Sequence, residues 1–393
     1  MLGSRSRDSQ DHGEDRAASS GSTSIDALIN RVLADADIQI NGRRPWDMQI
    51  HDPETLSRIA AQRSLGLGES YMDGWWDCDA LDEFAFRMLR AGGDNLGKDR
   101  WMLALQVLAH TLRNRQSLRR SRQVAEQHYD LGNDLFELML DDTMAYSCGY
   151  WKDATTLHEA QLAKLDLICR KLELEPGMTL LDIGCGWGSL LEYATRHYGV
   201  RAEGVTVSSE QAQLARERCQ GLPVEVLLKD YRAVTGRYDR VVSVGMFEHV
   251  GRRNYQTFMD TTLGLLKDRG LMLLHTIGTN ESSHSHDPWI DKYIFPNGEL
   301  PSVKQIARAA EPGWVVEDLH NFGPDYARTL KAWDANFQTG WPQLQHRYDE
   351  RFYRMWRYYL NVCAGAFRAR NIQLWQWVFS KPGHRSRTYQ APR

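Results

Sequence analysis

The chain is predicted to fold as an α/β protein. A mainly parallel, doubly wound sheet is expected in residues 123–393, behind a small helical domain at 25–112. Two observations carry this. From Thr179 onward apolar strand-like runs alternate with amphipathic segments, the pattern of a parallel sheet with helices on both faces. The first of those runs leads directly into a glycine-rich turn and then a helix, the context in which open α/β sheets bind ligands at their carboxyl edge.

The elements follow in order. Met1–Ser24 mixes Arg, Asp, Ser and Gly without an apolar core. It reads as a disordered tail rather than a secretory signal. Ile25, Leu28, Ile29, Val32 and Leu33 recur at helical spacing. Leu65–Trp76, LGLGESYMDGWW, reads as a glycine- and aromatic-rich turn. A second amphipathic segment runs through Leu81, Phe84, Phe86 and Leu89. Residues 113–122 hold five arginines and no acid, the composition of a basic linker. Strands are then expected at Thr179–Gly184, Ala202–Val207, Val224–Leu228, Asp239–Gly245 and Gly270–Ile277. Helices are expected at Ser189–Tyr198, Ser209–Cys219 and Asn254–Lys267. From Val303 the pattern is helical and rich in aromatics.

Composition narrows the function classes. The 393 residues carry a formal net charge of −3, which argues against a general nucleic-acid binder. None of the six cysteines forms a CxxC pair, so neither a zinc ribbon nor a thioredoxin-type centre is expected. The apolar-leaning stretch Trp101–Leu112 is too short and polar to span a bilayer. A cytoplasmic protein is expected. His284 and His286 sit in a polar loop with no further ligands beside them, and no metal site is expected there.

The strongest local motif is Leu180-Leu-Asp-Ile-Gly-Cys-Gly-Trp-Gly188. Gly184, Gly186 and Gly188 let a ligand approach the backbone without Cβ clashes, and Asp182 lies two positions ahead of them. The spacing GxGxG lacks the last glycine of a dinucleotide fingerprint, which serves a pyrophosphate. A phosphate-free ligand that needs open backbone and a carboxylate, S-adenosylmethionine, suits it. Asp230 and Tyr231, after the third strand, offer a carboxylate and an aromatic face to an adenine. The second strand ends near Thr206 rather than in the acidic residue many methyltransferases use for ribose, so ribose contacts are expected from Thr206 and Gln211. Taken singly, each of these segments also suits ordinary turn chemistry.

Several further segments occur in order: Tyr129–Asp134 (YDLGND), Tyr146–Trp151 (YSCGYW), Gly245–Gly251 (GMFEHVG), Leu274–Gly278 (LHTIG), Phe322–Tyr326 (FGPDY) and Cys363–Arg368 (CAGAFR). With these motifs the chain closely resembles the bacterial cyclopropane-fatty-acyl-phospholipid synthases, from about Ile25 to Phe379. The resemblance includes the LGLGESYMDGWW segment, which the smaller mycolic-acid cyclopropane synthases lack. It implies a Rossmann-like methyltransferase fold and S-adenosylmethionine as methyl donor, with Tyr146 and Ser147 added to the cofactor contacts. It also implies a bound bicarbonate ion as catalytic base. The ion would be held by Glu248, His275 and Tyr326 and by the backbones of Cys148 and Ile277, with Cys363 nearby. An unsaturated phospholipid acceptor, peripheral contact with the membrane's inner face and a homodimer follow as implications. Read alone, Glu248-His249 suits a capping or surface pair, His275 a core histidine, and Tyr326, Cys148 and Cys363 packing.

The chemistry suits these residue types. An alkene is a weak nucleophile, and methyl transfer leaves a cation from which one proton must be removed before a ring closes. That needs a base at hydrogen-bond range in the right ionisation state and aromatic faces against the cation. A branch- or methylene-forming relative, a lipid-binding protein without catalysis, and a small-molecule N- or O-methyltransferase are the competing readings.

Overall fold

In the computed structural model, residues 29–95, 132–282, 287–383 and 388–393 are described. The expected N-terminal tail, the basic segment 113–122, Trp101–Leu112, part of the YDLGND motif, and His284 and His286 lie outside them. Among the described residues no group of acidic, His or Cys side chains could hold a metal ion.

Seven strands form the main sheet, in the order β5-β4-β3-β6-β7-β9-β8. A small antiparallel pair, β1 (Gln49–Ile50) and β2 (Trp76–Asp77), precedes them. β3 (Thr179–Ile183), β4 (Arg201–Thr206), β5 (Val224–Leu228), β6 (Tyr238–Val244) and β7 (Leu266–Thr279) pair in parallel. All five expected strands and all three expected helices appear, with ends moved by a few residues. The chain order reverses beside β3, where β4 lies on one side and β6 on the other, and a crevice opens there at the carboxyl ends of the strands.

The far edge differs from expectation. The segment after Val303 is not wholly helical, because β8 (Val315–Asn321) and β9 (Ile372–Ser380) complete the sheet. β9 runs antiparallel to both β7 and β8. The reason is visible in its side chains. Trp375, Trp377 and Phe379 enter one core cluster, whereas Val378 joins another on the opposite face. A strand buried on both faces is a near-continuous apolar run, which periodicity alone does not separate from a buried helix. The helices Gly323–Leu344 and Glu350–Arg368 lie between the two strands in sequence.

Leu65–Trp76 is likewise not a simple turn, since Ser64–Met72 is helical. Its glycines serve close packing. A Cβ on Gly68 would lie 2.4 Å from the Trp289 ring, and one on Gly66 would lie 2.3 Å from the Arg58 carbonyl oxygen. Glu69, from this helix, accepts from Lys292 Nζ at 2.6 Å and Tyr293 O–H at 2.7 Å, and pairs with Arg58 at 2.8 Å. The helix Leu81–Asn95 packs on Glu350–Arg368, where a Cβ on Gly365 would meet Ala85 at 2.7 Å. Leu33, Tyr71, Trp76 and Phe84 of the N-terminal segment share one apolar cluster with Trp333, Trp356 and Phe367.

Candidate active site

Two adjoining cavities open at the carboxyl edge of the sheet. The first, about 190 Å³, lies over the ends of β3–β6. Asp182 and Ile183 bring the chain out of β3 into Gly184 and Gly186, whose φ values of 84° and 53° are left-handed. Gly184 also lies too close to Met246 for a side chain, at 2.8 Å from a built Cβ. Gly188 does not line this cavity. It caps the helix Ser189–Tyr198 with φ 85° and faces Ala215, so its role is the turn and helix packing. Thr206 and Gln211 both line the cavity and are joined by the Thr206 hydroxyl donating to Gln211 Oε1 at 3.0 Å. Tyr231 and Asp230 close another side. The Asp230 carboxylate is gripped by its neighbour Arg232 through two side-chain bonds, each 2.7 Å. Tyr146 and Ser147 complete the wall.

Asp182 is the polar floor. Burial raises its carboxyl to about 7, opposed by the charge of Lys164. Its Oδ1 is buried without a hydrogen-bond partner. An orphaned acceptor beside open glycine backbone suits a ligand carrying an ammonium group, and the donor set fits S-adenosylmethionine in kind.

The second cavity is larger, about 320 Å³, and is lined mostly by apolar and aromatic side chains. Tyr146, Gly245 and His249 belong to both walls and mark the junction. Tyr326, Tyr359, Phe295 and Phe367 face it. The Tyr146 and Tyr359 hydroxyls are 2.9 Å apart, and the Tyr326 and Phe367 rings lie 4.6 Å centre to centre.

Glu248 stands on this second wall, in a 3-10 turn just after β6. Its Oε1 accepts from the Ile277 amide at 2.6 Å, while Oε2 is buried with no partner. Burial pushes its carboxyl up to about 7, against the pull of that amide. His275 lies on β7 two residues before Ile277, on the same side of the strand. Gln376 Nε2 donates to its Nδ1 at 3.2 Å, leaving Nε2 buried and unpartnered. Burial holds the ring well below its ordinary value, hence neutral. The Tyr326 hydroxyl is raised well above its usual value, chiefly by burial. Cys148 and Cys363 are both raised by burial, Cys363 to about 12, and neither is a thiolate at neutral pH.

Of the expected residues, Glu248, Ile277, Tyr326 and Cys363 line the second cavity; His275 and Cys148 do not. The Ile277 amide is occupied by Glu248. The loop carrying Cys148 is pinned from the Tyr326 helix, where Thr329 accepts from the Gly149 amide at 3.1 Å and the Trp151 indole at 2.9 Å.

Three site residues had not been singled out. His249 is buried at the junction with Nδ1 unpartnered, and burial lowers it to about 4. Tyr359 faces the aromatic cavity, and Lys164 the first one. Lys164 left one signal, a charged side chain within the buried stripe of the helix Leu157–Lys171.

Residues 116–377 match the family model described as mycolic acid cyclopropane synthetase. The chain is 54% identical over 354 residues to the cyclopropane-fatty-acyl-phospholipid synthase of Escherichia coli (strain K12), covering 90% of this chain and 93% of that one. It is 38% identical over 275 residues to cyclopropane mycolic acid synthase 1 of Mycobacterium tuberculosis (strain H37Rv), covering 65% of this chain and 96% of that one. Among solved structures, the mycolic acid cyclopropane synthase CmaA1 complexed with SAH and CTAB superposes with a TM-score of 0.63 at 36% identity, over 66% of this chain and 98% of that one. The cyclopropane synthase MmaA2 from Mycobacterium tuberculosis gives the same TM-score, 0.63, at 34% identity, over 66% of this chain and 98% of that one. The sheet is thus that of the S-adenosylmethionine-dependent methyltransferases, and the chain belongs to the mycolic acid cyclopropane synthetase family.

Proposed function

We propose that the protein is a cyclopropane-fatty-acyl-phospholipid synthase, which adds a methylene bridge to the cis double bond of an unsaturated phospholipid acyl chain. The observation that carries this reading is the pairing of the two cavities. A polar cleft at the glycine turn meets an aromatic cavity across Tyr146, Gly245 and His249, with the buried Glu248 carboxyl on the acceptor side. A small polar substrate would need no such aromatic chamber.

S-adenosylmethionine, when bound, supplies an electrophilic sulfonium methyl. Gly184, Gly186, Asp182, Thr206, Gln211, Tyr231, Tyr146 and Ser147 would hold it. Tyr326, Tyr359, Phe295 and Phe367 enclose the acceptor, exclude water and present π faces to positive charge. Bicarbonate, where present, supplies a small oxyanion base. Glu248, His275 and Tyr326 suit its binding in kind. A buried protonated carboxyl, a neutral imidazole and a protonated phenol can all donate to an anion, and two of the three have an unpartnered buried atom. Cys148 and Cys363 would contribute as packing or through the backbone, not as nucleophiles.

Among the described residues no helix is long and apolar enough to cross a membrane. From the family resemblance, the reading includes a peripheral enzyme that draws its acceptor from one leaflet, on the cytoplasmic side, and acts as a homodimer. Residues 123–393 would form the catalytic domain and 25–112 the helical one. The test is incubation with S-adenosylmethionine and vesicles of cis-unsaturated phospholipid, followed by proton NMR of the acyl chains. Ring protons far upfield are expected, and a new methyl branch or exomethylene signal would refute the cyclopropane assignment.

A further inference from the structure

The loop 146–151 carries a donor that the fold leaves unused. Cys148 is fully buried, and among the described residues its backbone amide donates to no group. A buried N–H without a partner is rare, because it has lost its bond to water. The three amides that follow it are all held. The Gly149 N–H donates to Thr329 Oγ1 at 3.1 Å, the Tyr150 N–H to the Ala160 carbonyl at 2.8 Å, and the Trp151 N–H to Asp325 Oδ2 at 2.8 Å. Of the two residues before it, Ser147 lines the cofactor cavity and Tyr146 lines both cavities, so the spare amide lies at their wall and not in remote core.

Two buried side chains fix the direction of this N–H. From the helix Leu157–Lys171, Gln161 Nε2 donates to the Ser147 carbonyl at 2.8 Å. That carbonyl and the Cys148 N–H belong to one planar, trans peptide unit, so the N–H points away from Gln161. From the helix Gly323–Leu344, Thr329 holds the next peptide unit through the Gly149 N–H and also accepts from the Trp151 indole at 2.9 Å. Thr329 stands about one turn after Tyr326 on that helix. A loop gripped at one peptide's carbonyl and at the next peptide's amide has little freedom to rotate between them. Neither Gln161 nor Thr329 lines either cavity, so both act on the site only through the backbone they hold.

We propose that Gln161 and Thr329 are positioning residues that clamp the loop from two helices and hold the Cys148 amide ready to donate to the oxyanion base of the reaction. The proposal rests on the reading of the site as one that takes bicarbonate. It assigns the orientation of a backbone donor to two side chains outside the site, and it ties that donor to the helix that carries Tyr326.

The experiment follows ring formation against bicarbonate concentration in Thr329→Val, which removes the hydroxyl with little change of volume, and in Thr329→Ser, which keeps it. In Thr329→Val the half-saturating bicarbonate concentration is expected to rise at least ~10-fold, the scale of one hydrogen bond to a charged group, while cofactor affinity by calorimetry stays within ~3-fold of wild type. Excess bicarbonate should restore much of its turnover, which a mere loss of packing would not allow. Thr329→Ser should stay within ~3-fold of wild type in both measurements. Gln161→Leu should raise the half-saturating concentration as Thr329→Val does, and a wild-type value in that folded variant overturns the role of Gln161. A folded Thr329→Val with wild-type half-saturation overturns the role of Thr329, whatever its turnover. So does a Thr329→Ser that rises ~10-fold, because the methyl group and not the hydroxyl would then matter, and this arm stands even if Thr329→Val does not fold. A wild type that forms rings without regard to bicarbonate overturns the proposal while leaving the synthase reading in place; a wild type that forms no ring removes that reading as well.

Discussion

Gly184 and Gly186 hold left-handed backbone, with φ values of 84° and 53°, at the mouth of the glycine turn. A β-branched residue at either position is strained by its backbone alone. Gly184→Val or Gly186→Val should weaken S-adenosylmethionine at least ~10-fold, or ~1.4 kcal/mol. Calorimetry on folded variants checks this, and unchanged affinity would remove the turn from the cofactor site. Glu248 stands on the wall of the acceptor cavity, and His275 is buried on β7 without lining it. Glu248→Gln and His275→Ala should bind the cofactor as wild type does and lose ring formation by ~10²–10⁴-fold, the usual scale for acid–base groups. Turnover near wild type in either variant contradicts the role given to it. Glu248 also makes a stability prediction. Its carboxyl keeps its proton to about 7 in the folded protein, against 4.5 for the ordinary group. The native state therefore binds more protons between those values, and stability declines as pH rises from about 4.5 to about 7, levelling off above. The loss is at most on the order of 3 kcal/mol. Glu248→Gln removes this slope, so its Tm relative to wild type should rise between pH 5 and pH 8. An unchanged difference would show that the carboxyl is not held protonated. The glycine motif was legible in the sequence because its neighbours announce a strand end, whereas Glu248 was reached only through the family resemblance. The unpartnered states of Asp182, Glu248 and His275 were not legible, because burial is a property of the assembled core.

At the scale of elements, β3–β7 were legible because short apolar runs between helical segments have one physical interpretation. β9 was not, since Ile372–Ser380 is buried on both faces and even its polar members Gln373 and Gln376 are buried, so no alternation of apolar and polar residues marks it as a strand. The LGLG segment misled for a different reason. Glycine marks turns and also close helix packing, and only the approach of Trp289 to Gly68 tells which applies here. Gly68→Ala should therefore destabilise the protein by ~1–3 kcal/mol, the cost of overpacking a filled contact. Glu69, one residue on, ties the same helix to Lys292 and Tyr293, beside the Ile290 wall of the acceptor cavity. Denaturant unfolding checks the prediction. A Gly68→Ala protein as stable as the parent would mean that the indole moves freely and that the glycine is not there for packing.

For the whole molecule, the question is how an enzyme with a net charge of −3 reaches acyl chains inside a bilayer. Arg113, Arg115, Arg119, Arg120 and Arg122 are a local basic run in the sequence. Each cation near an anionic surface contributes about 1 kcal/mol, within a Debye length. Replacing all five by Gln should weaken sedimentation with anionic vesicles at low salt and leave cofactor affinity unchanged. Equal sedimentation would assign membrane contact to another surface. The central claim is ring formation in a chamber that joins a sulfonium donor to an alkene and holds a base. It is tested most directly by proton NMR of phospholipid acyl chains after incubation with S-adenosylmethionine, with bicarbonate present and removed. The account predicts that vinyl protons are lost, upfield cyclopropane protons appear, and both changes slow sharply without bicarbonate. Vinyl protons that persist with cofactor and bicarbonate present, or that give way to a methyl branch, would contradict it.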